Sequence, residues 1–132
     1  MKYNLVDSSG WIEYFTEGKN ADFFAPLIEN PSHLIVPTAS VHEVFKFILR
    51  KSTESMALRS IECMLQGRVV DLTLELSLDA ARLGVLHKLP MADSMMLATA
   101  RYYQATLWTQ DADFKGLAEV HYIEKSNVKP LP

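Results

Sequence analysis

A chain of 132 residues that is 48% hydrophobic can bury a core for one compact domain and is too short for two ordinary ones, so 1–132 is expected to fold as a single unit. With 16 acidic residues against 13 Lys and Arg, the formal charge of -3 counts against a DNA-binding module that works through bulk electrostatics. The lone Cys63 excludes an intramolecular disulfide and a thiolate metal set, and its neighbours Ile61, Met64 and Leu65 suggest a core thiol.

The first residues lack the apolar stretch of a signal peptide, and no run approaches the roughly 18 apolar residues of a membrane span. The expected setting is the cytoplasm, with no membrane partner.

In chain order, short apolar runs alternate with longer helix-patterned ones, which is the sequence form of an α/β fold. Tyr3-Asn4-Leu5-Val6 reads as a central strand stopping at Asp7-Ser8-Ser9-Gly10, followed by helical stretches at 11–16 and 20–29. His33 to Pro37 reads as a second strand leading into a helix at 39–51, where Val41, Val44, Phe45 and Ile48 form the inward stripe and Glu43, Lys46 and Arg50 fall outside it. The helix at 53–66 is richer in apolar residues than an outer helix needs. Its Met56, Ile61, Met64 and Leu65 point first to core packing and second to an oligomer or partner groove. A short strand at 68–72 and a helix at 74–88 follow, and Leu89-Pro90 breaks the chain before a helix at 92–104. Ala105 to Thr109 and Val120 to Ile123 complete the strands.

In open α/β sheets, functional groups collect beyond the carboxyl ends of the strands. Asp7 and Asp111 fall at such ends, while Glu43 and Asp93 fall near helix starts that open at the same edge. Taken singly, each acid also has a local structural use. Asp7 can cap the next helix, and Ser40-Val41-His42-Glu43 reads as a capping box. Asp93 complements a helix dipole, and Asp111 with Asp113 can shape a turn.

Taken together, the acids would repel one another unless cations lay between them. Clustered carboxylates suit Mg²⁺ or Mn²⁺, whereas no zinc spacing occurs and His33, His42, His87 and His121 are scattered. Acid-held divalent cations point to phosphate chemistry, because two such ions would add about four positive charges to an otherwise acidic protein.

Four segments, Asp7-Ser8-Ser9 after an apolar strand, Glu43 on the helix opened by Thr38-Ala39-Ser40-Val41, MADSMMLATA (91–100) and LWTQDADF (107–114), together resemble the PIN domain, and within it bacterial VapC-type toxins. The resemblance runs over nearly the whole chain. It implies a three-layer α/β/α sandwich with a central, mostly parallel sheet, and a Mg²⁺- or Mn²⁺-dependent endoribonuclease producing 5′-phosphate and 3′-hydroxyl ends. The catalytic, metal-holding acids would be Asp7, Glu43, Asp93 and Asp111, with Asp113 as the alternative last acid or in a supporting place beside it. Ser9, with Ser8 as the alternative, and Thr109 would orient carboxylates or water. Lys46, Arg50 and Lys51, on the helix after Glu43, read first as a solvated helix face and second as residues that hold RNA phosphates.

The implied partners are an RNA substrate, a cognate antitoxin and a second copy of the chain in a homodimer. A non-catalytic PIN-like RNA-binding or scaffold protein is the other reading. A phosphatase of the aspartyl-phosphate type would want D-x-D where the chain has Asp7-Ser8-Ser9, and Asp71 is a poor acceptor for a receiver domain.

Overall fold

The computed structural model describes residues 2–125; Met1 and 126–132, which the single-domain expectation also takes in, lie outside the described residues. The elements run β1 (Tyr3–Val6), α1 (Ser8–Phe15), α2 (Ala21–Ile28), β2 (Leu34–Pro37), α3 (Thr38–Lys51), α4 (Glu54–Met64), β3 (Arg68–Val70), α5 (Leu74–His87), α6 (Met91–Tyr102), β4 (Ala105–Thr109) and β5 (Val120–Tyr122). Single 3-10 turns occupy Pro31–His33 and Ala112–Phe114.

The strands form one sheet in the order β3-β2-β1-β4-β5, and all of its pairings are parallel. The middle strand β1 is buried on both faces. Leu5 points into a core with Ile35, Leu107, Met96 and Leu97, covered by α5 and α6. Val6, one residue on, points to the opposite side with Trp11, Phe24, Val36 and Val44, beneath α1 to α4. This alternation across one strand makes the three α/β/α layers. Polar caps set several helix starts: the Thr53 hydroxyl accepts from the Met56 N–H and that of Thr73 from the Leu76 N–H.

Strand order reverses between β1 and β4, since the chain first winds outward through β2 and β3 and then returns to the other side of β1. The carboxyl ends of two adjacent parallel strands therefore open a crevice there, unobstructed by a crossing helix. Asp7 directly follows β1, and Asp111 lies two residues past β4.

Three expectations need correction. The helix read at 11–16 begins at Ser8, because the Asp7 carboxylate accepts from the Ser8 N–H and starts it at once. The Ser40 to Glu43 capping box does not form. The helix starts two residues before Ser40, after Pro37, and the buried Ser40 hydroxyl donates to Met96 Sδ at 3.2 Å. Core packing accounts for only part of the stretch read as a helix at 53–66: Ala57 and Met64 are buried, whereas Met56, Leu58 and, just past the end of α4, Leu65 face outward.

Candidate metal centre

Asp7 is almost fully buried, and every oxygen of its carboxylate is held. Oδ1 accepts from the Ser8 N–H at 2.8 Å, while Oδ2 accepts from Ser9 Oγ and Thr109 Oγ1, each at 2.9 Å. Thr109 is 0% exposed, and its hydroxyl also accepts from the Asp111 N–H at 2.9 Å. One hydroxyl thus ties the end of β4 to the end of β1 and fixes where the Asp111 backbone leaves the sheet. Asp111 in turn accepts on Oδ1 from the Asp113 N–H at 3.0 Å, closing the turn at 112–114.

Asp93 enters from the first turn of α6, where Pro90 ends the preceding loop. One carboxylate oxygen from each of Asp7, Asp93 and Asp111 lies within 4.8 Å of the others. Burial pushes Asp7 up to about 6 and the charge of Asp111 adds to this, although the Ser9 and Thr109 hydroxyls and the Ser8 N–H pull it down. Asp93 is pushed up to about 8, first by burial, then by the charges of Asp7 and Asp111, a hydrogen bond with Asp111 and the charge of Asp113. A hard divalent cation would relieve that repulsion, and three carboxylate oxygens without His or Cys match the donor chemistry of Mg²⁺ or Mn²⁺.

Glu43 stands outside this group of three. Its Oε1 accepts from Ser8 Oγ at 2.6 Å, and it lines the same cleft of about 530 Å³. Lys46 and Arg50 line that cleft as well. Lys51 turns instead to the Phe47 ring, with Nζ 6.0 Å from the centroid. The exposed Asp113 meets the cluster through its backbone and its charge. Of the two serines, Ser9 donates to Asp7 and Ser8 to Glu43.

Sequence reasoning missed His42 and Met91, which also line the cleft. The spacing of His42 four residues before Lys46 was the signal for the first, whereas Met91 reads as one more apolar helix residue. Gln110 was missed too. It is buried, accepts from Asn20 Nδ2 at 2.9 Å and donates weakly to the Ser9 carbonyl at 3.4 Å, linking α2 to the β4 end of the site.

An acidic cleft at the switch point of a parallel α/β/α sheet, with donors suited to a hard cation, defines the class. The sequence matches the PIN domain over residues 5–120, and the chain belongs to that family. Solved structures share the fold. A toxin–antitoxin complex from Klebsiella pneumoniae aligns with a TM-score of 0.76 at 21% identity, covering 89% of this chain and 95% of that one. VapC20 of Mycobacterium tuberculosis, described as a Sarcin-Ricin loop cleaving toxin, aligns with a TM-score of 0.71 at 20% identity, covering 88% and 97%. VapBC2 of Rickettsia felis, bound to a fragment of promoter DNA, gives a TM-score of 0.71 at 12% identity, covering 94% and 98%. No curated protein matches the sequence. Among the described residues, no helix is long and apolar enough to cross a membrane.

Proposed function

We propose that the chain is a metal-dependent endoribonuclease, the toxin of a type II toxin–antitoxin pair acting in the cytoplasm, and that it leaves 5′-phosphate and 3′-hydroxyl ends. The observation that carries this reading is the trio Asp7, Asp93 and Asp111, whose oxygens crowd within 4.8 Å in a cleft open to a polymer. Mutual repulsion of this kind serves no folding purpose and is relieved by a cation. Membership of the PIN family and the toxin–antitoxin assemblies among the structural neighbours support the same assignment.

In this reading Asp7, Asp93 and Asp111 hold Mg²⁺ or Mn²⁺, which when bound supplies Lewis acidity at phosphate and lowers the pKa of water. Asp7 is kept rigid by Ser9 and Thr109, so its position does not have to be reorganised when charge develops. Glu43, steadied on one oxygen by Ser8, keeps its other oxygen for a water at the cleft mouth and acts as a proton acceptor there. Asp113 supports the turn that presents Asp111. The partners are a cognate antitoxin and a second copy of the chain. The outward-facing Met56 and Leu58 of α4, Leu65 just after it, and Leu74, Leu78, Val85 and Leu86 of α5 give both of them apolar surface to cover.

Mapping new 5′-phosphate ends in total bacterial RNA tests the proposal, using the purified chain with Mg²⁺ or Mn²⁺ beside EDTA and Asp93→Asn controls. Ends that need metal and disappear with Asp93→Asn are expected. A folded, metal-loaded chain that makes none would move the assignment to a non-catalytic RNA-binding module.

A further inference from the structure

We propose that His42, Lys46 and Arg50 form a phosphate track for single-stranded RNA leading out of the acidic site, with Phe47 beside it as a platform for a base. The choice of RNA as the polyanion rests on the ribonuclease reading above; the track itself rests on the following geometry.

The three residues are spaced four apart on α3, so they form one ridge that climbs about 6 Å per step and about 12 Å in all. All three are exposed, and all three line the cleft that also holds Asp7, Glu43 and Asp93. Acids and cations therefore share one cleft, with Lys46 and Arg50 following Glu43 along α3. Among the described residues, neither Lys46 nor Arg50 makes an ion pair. Two unpaired cations in a row, in a protein with excess acid, suit a ligand whose negative charge repeats.

Phe47 separates the single strand from the duplex. Phe47 lines the same cleft, and Lys51 meets its ring with the ammonium 6.0 Å from the centroid. Ile12 of α1 adds a second apolar surface on the same cleft. Base faces are free to stack on such side chains only in an unpaired strand. Polyglutamate would satisfy the cations but offers no aromatic face to Phe47, whereas every base of a single strand does.

The test is fluorescence anisotropy of a labelled oligouridylate on the full chain carrying Asp93→Asn, in EDTA, over a range of salt concentrations. Cleavage is then silent and binding is read alone. Lys46→Ala and Arg50→Ala should each weaken binding several-fold and flatten the plot of log K against log salt by about 0.7, the contribution of one phosphate contact to a single strand. Phe47→Leu should weaken binding about tenfold with no change of slope. Lys51→Ala should leave the slope as it is, and a duplex of the same length should bind less tightly. The track is overturned if Lys51→Ala flattens the slope as much as Lys46→Ala does, if the Lys46→Ala/Arg50→Ala double variant keeps the parent slope, or if those losses appear with polyglutamate and not with oligouridylate. Binding with the expected slopes from a chain that cuts nothing when metal-loaded would leave the track and remove the nuclease. Undiminished affinity and cleavage in the double variant would do the reverse.

Discussion

Ser8 Oγ donates to Glu43 Oε1 at 2.6 Å across 35 positions of sequence, while the adjacent Ser9 donates to Asp7 Oδ2 at 2.9 Å. Two neighbouring hydroxyls at the start of α1 thus serve two different acids, and the first turn of one helix sets the separation between the metal cluster and the glutamate. Ser8→Ala frees Glu43 without touching Asp7. Its expected effect is a fall of about 10-fold in cleavage rate with the fold intact, typical for loss of a partner that orients a functional group. If Ser8 acts only through Glu43, the Ser8→Ala/Glu43→Gln double variant should be no slower than Glu43→Gln alone. Additive losses in single-turnover rates would show that Ser8 acts elsewhere.

Asp7 and Asp93 both have folded-state pKa values above the ordinary 3.8 of the carboxylate, about 6 and about 8. The folded chain therefore holds these protons to higher pH than the unfolded chain, so their contribution to stability is full below about pH 4 and is lost as pH rises through the folded values. For the buried Asp7 the loss is on the order of 3 kcal/mol by neutrality. In EDTA, these two groups should lower the urea midpoint between about pH 5 and about pH 8, and Asp93→Asn should flatten the upper part of the fall. A midpoint for the wild type that rises over the same interval, with no flattening in the variant, would refute the repulsion.

A divalent cation should reverse that loss. Mn²⁺ at about 100 times its Kd should stabilise the wild type by about 2.7 kcal/mol, through mass action on the folded state alone. The gain should vanish with Asp111→Asn, whose oxygen belongs to the cluster, and persist with Asp113→Asn, which meets the cluster through its backbone and its charge. Thermal scans with and without Mn²⁺ decide it; the opposite pattern would make Asp113 the last acid.

The strands and helices were legible because buried periodicity is strong here. Leu5 and Val6 on one strand, and Val44 and Ile48 one turn apart on α3, are the residues that the structure buries. The three-acid cluster was legible only as a set, since Asp7 does cap α1 and Asp111 does shape a turn, as their local readings required. What failed was local pattern without tertiary context. Ser8-Ser9-Gly10 reads as the break between a strand and a helix from 11 until Asp7 starts the helix at Ser8, and Ser40 reads as a cap until Pro37 has already begun α3. Half-exposed Met56 and Leu65 are chemically indistinguishable from core residues in a sequence, because nothing in the chain says which face another molecule will cover.

Gly10 sits inside α1, where helix propensity alone would favour alanine by about 1 kcal/mol. A Cβ there would lie 2.6 Å from Phe24 Cε1 and 2.7 Å from Val6 Cγ1, both on fully buried side chains. Overpacking of a closed core costs about 1 to 3 kcal/mol, so sterics should outweigh propensity and Gly10→Ala should be destabilising. Because α1 also carries Ser8 and Ser9, the displaced helix should lose metal affinity along with its urea midpoint. A variant as stable as wild type would mean that α1 can slide away from Phe24 freely.

Thr109→Val keeps the shape of a fully buried side chain and deletes the hydroxyl that joins the two halves of the site. Two groups lose a bond: the Asp7 carboxylate, which keeps those from Ser9 and the Ser8 N–H, and the Asp111 N–H, whose loss costs about 1 to 3 kcal/mol if no other acceptor reaches it. The Thr109 hydrogen bond lowers the Asp7 pKa by favouring the ionised form, so its removal should raise that pKa further above about 6. A cation binds the ionised carboxylate, and the pH at which Mn²⁺ half-saturates the site should therefore move upward in Thr109→Val. Calorimetric Mn²⁺ titrations across the pH range read that shift directly. Weaker binding by the same factor at every pH would instead mean that Thr109 fixes only the geometry of Asp7 and has no hold on its charge.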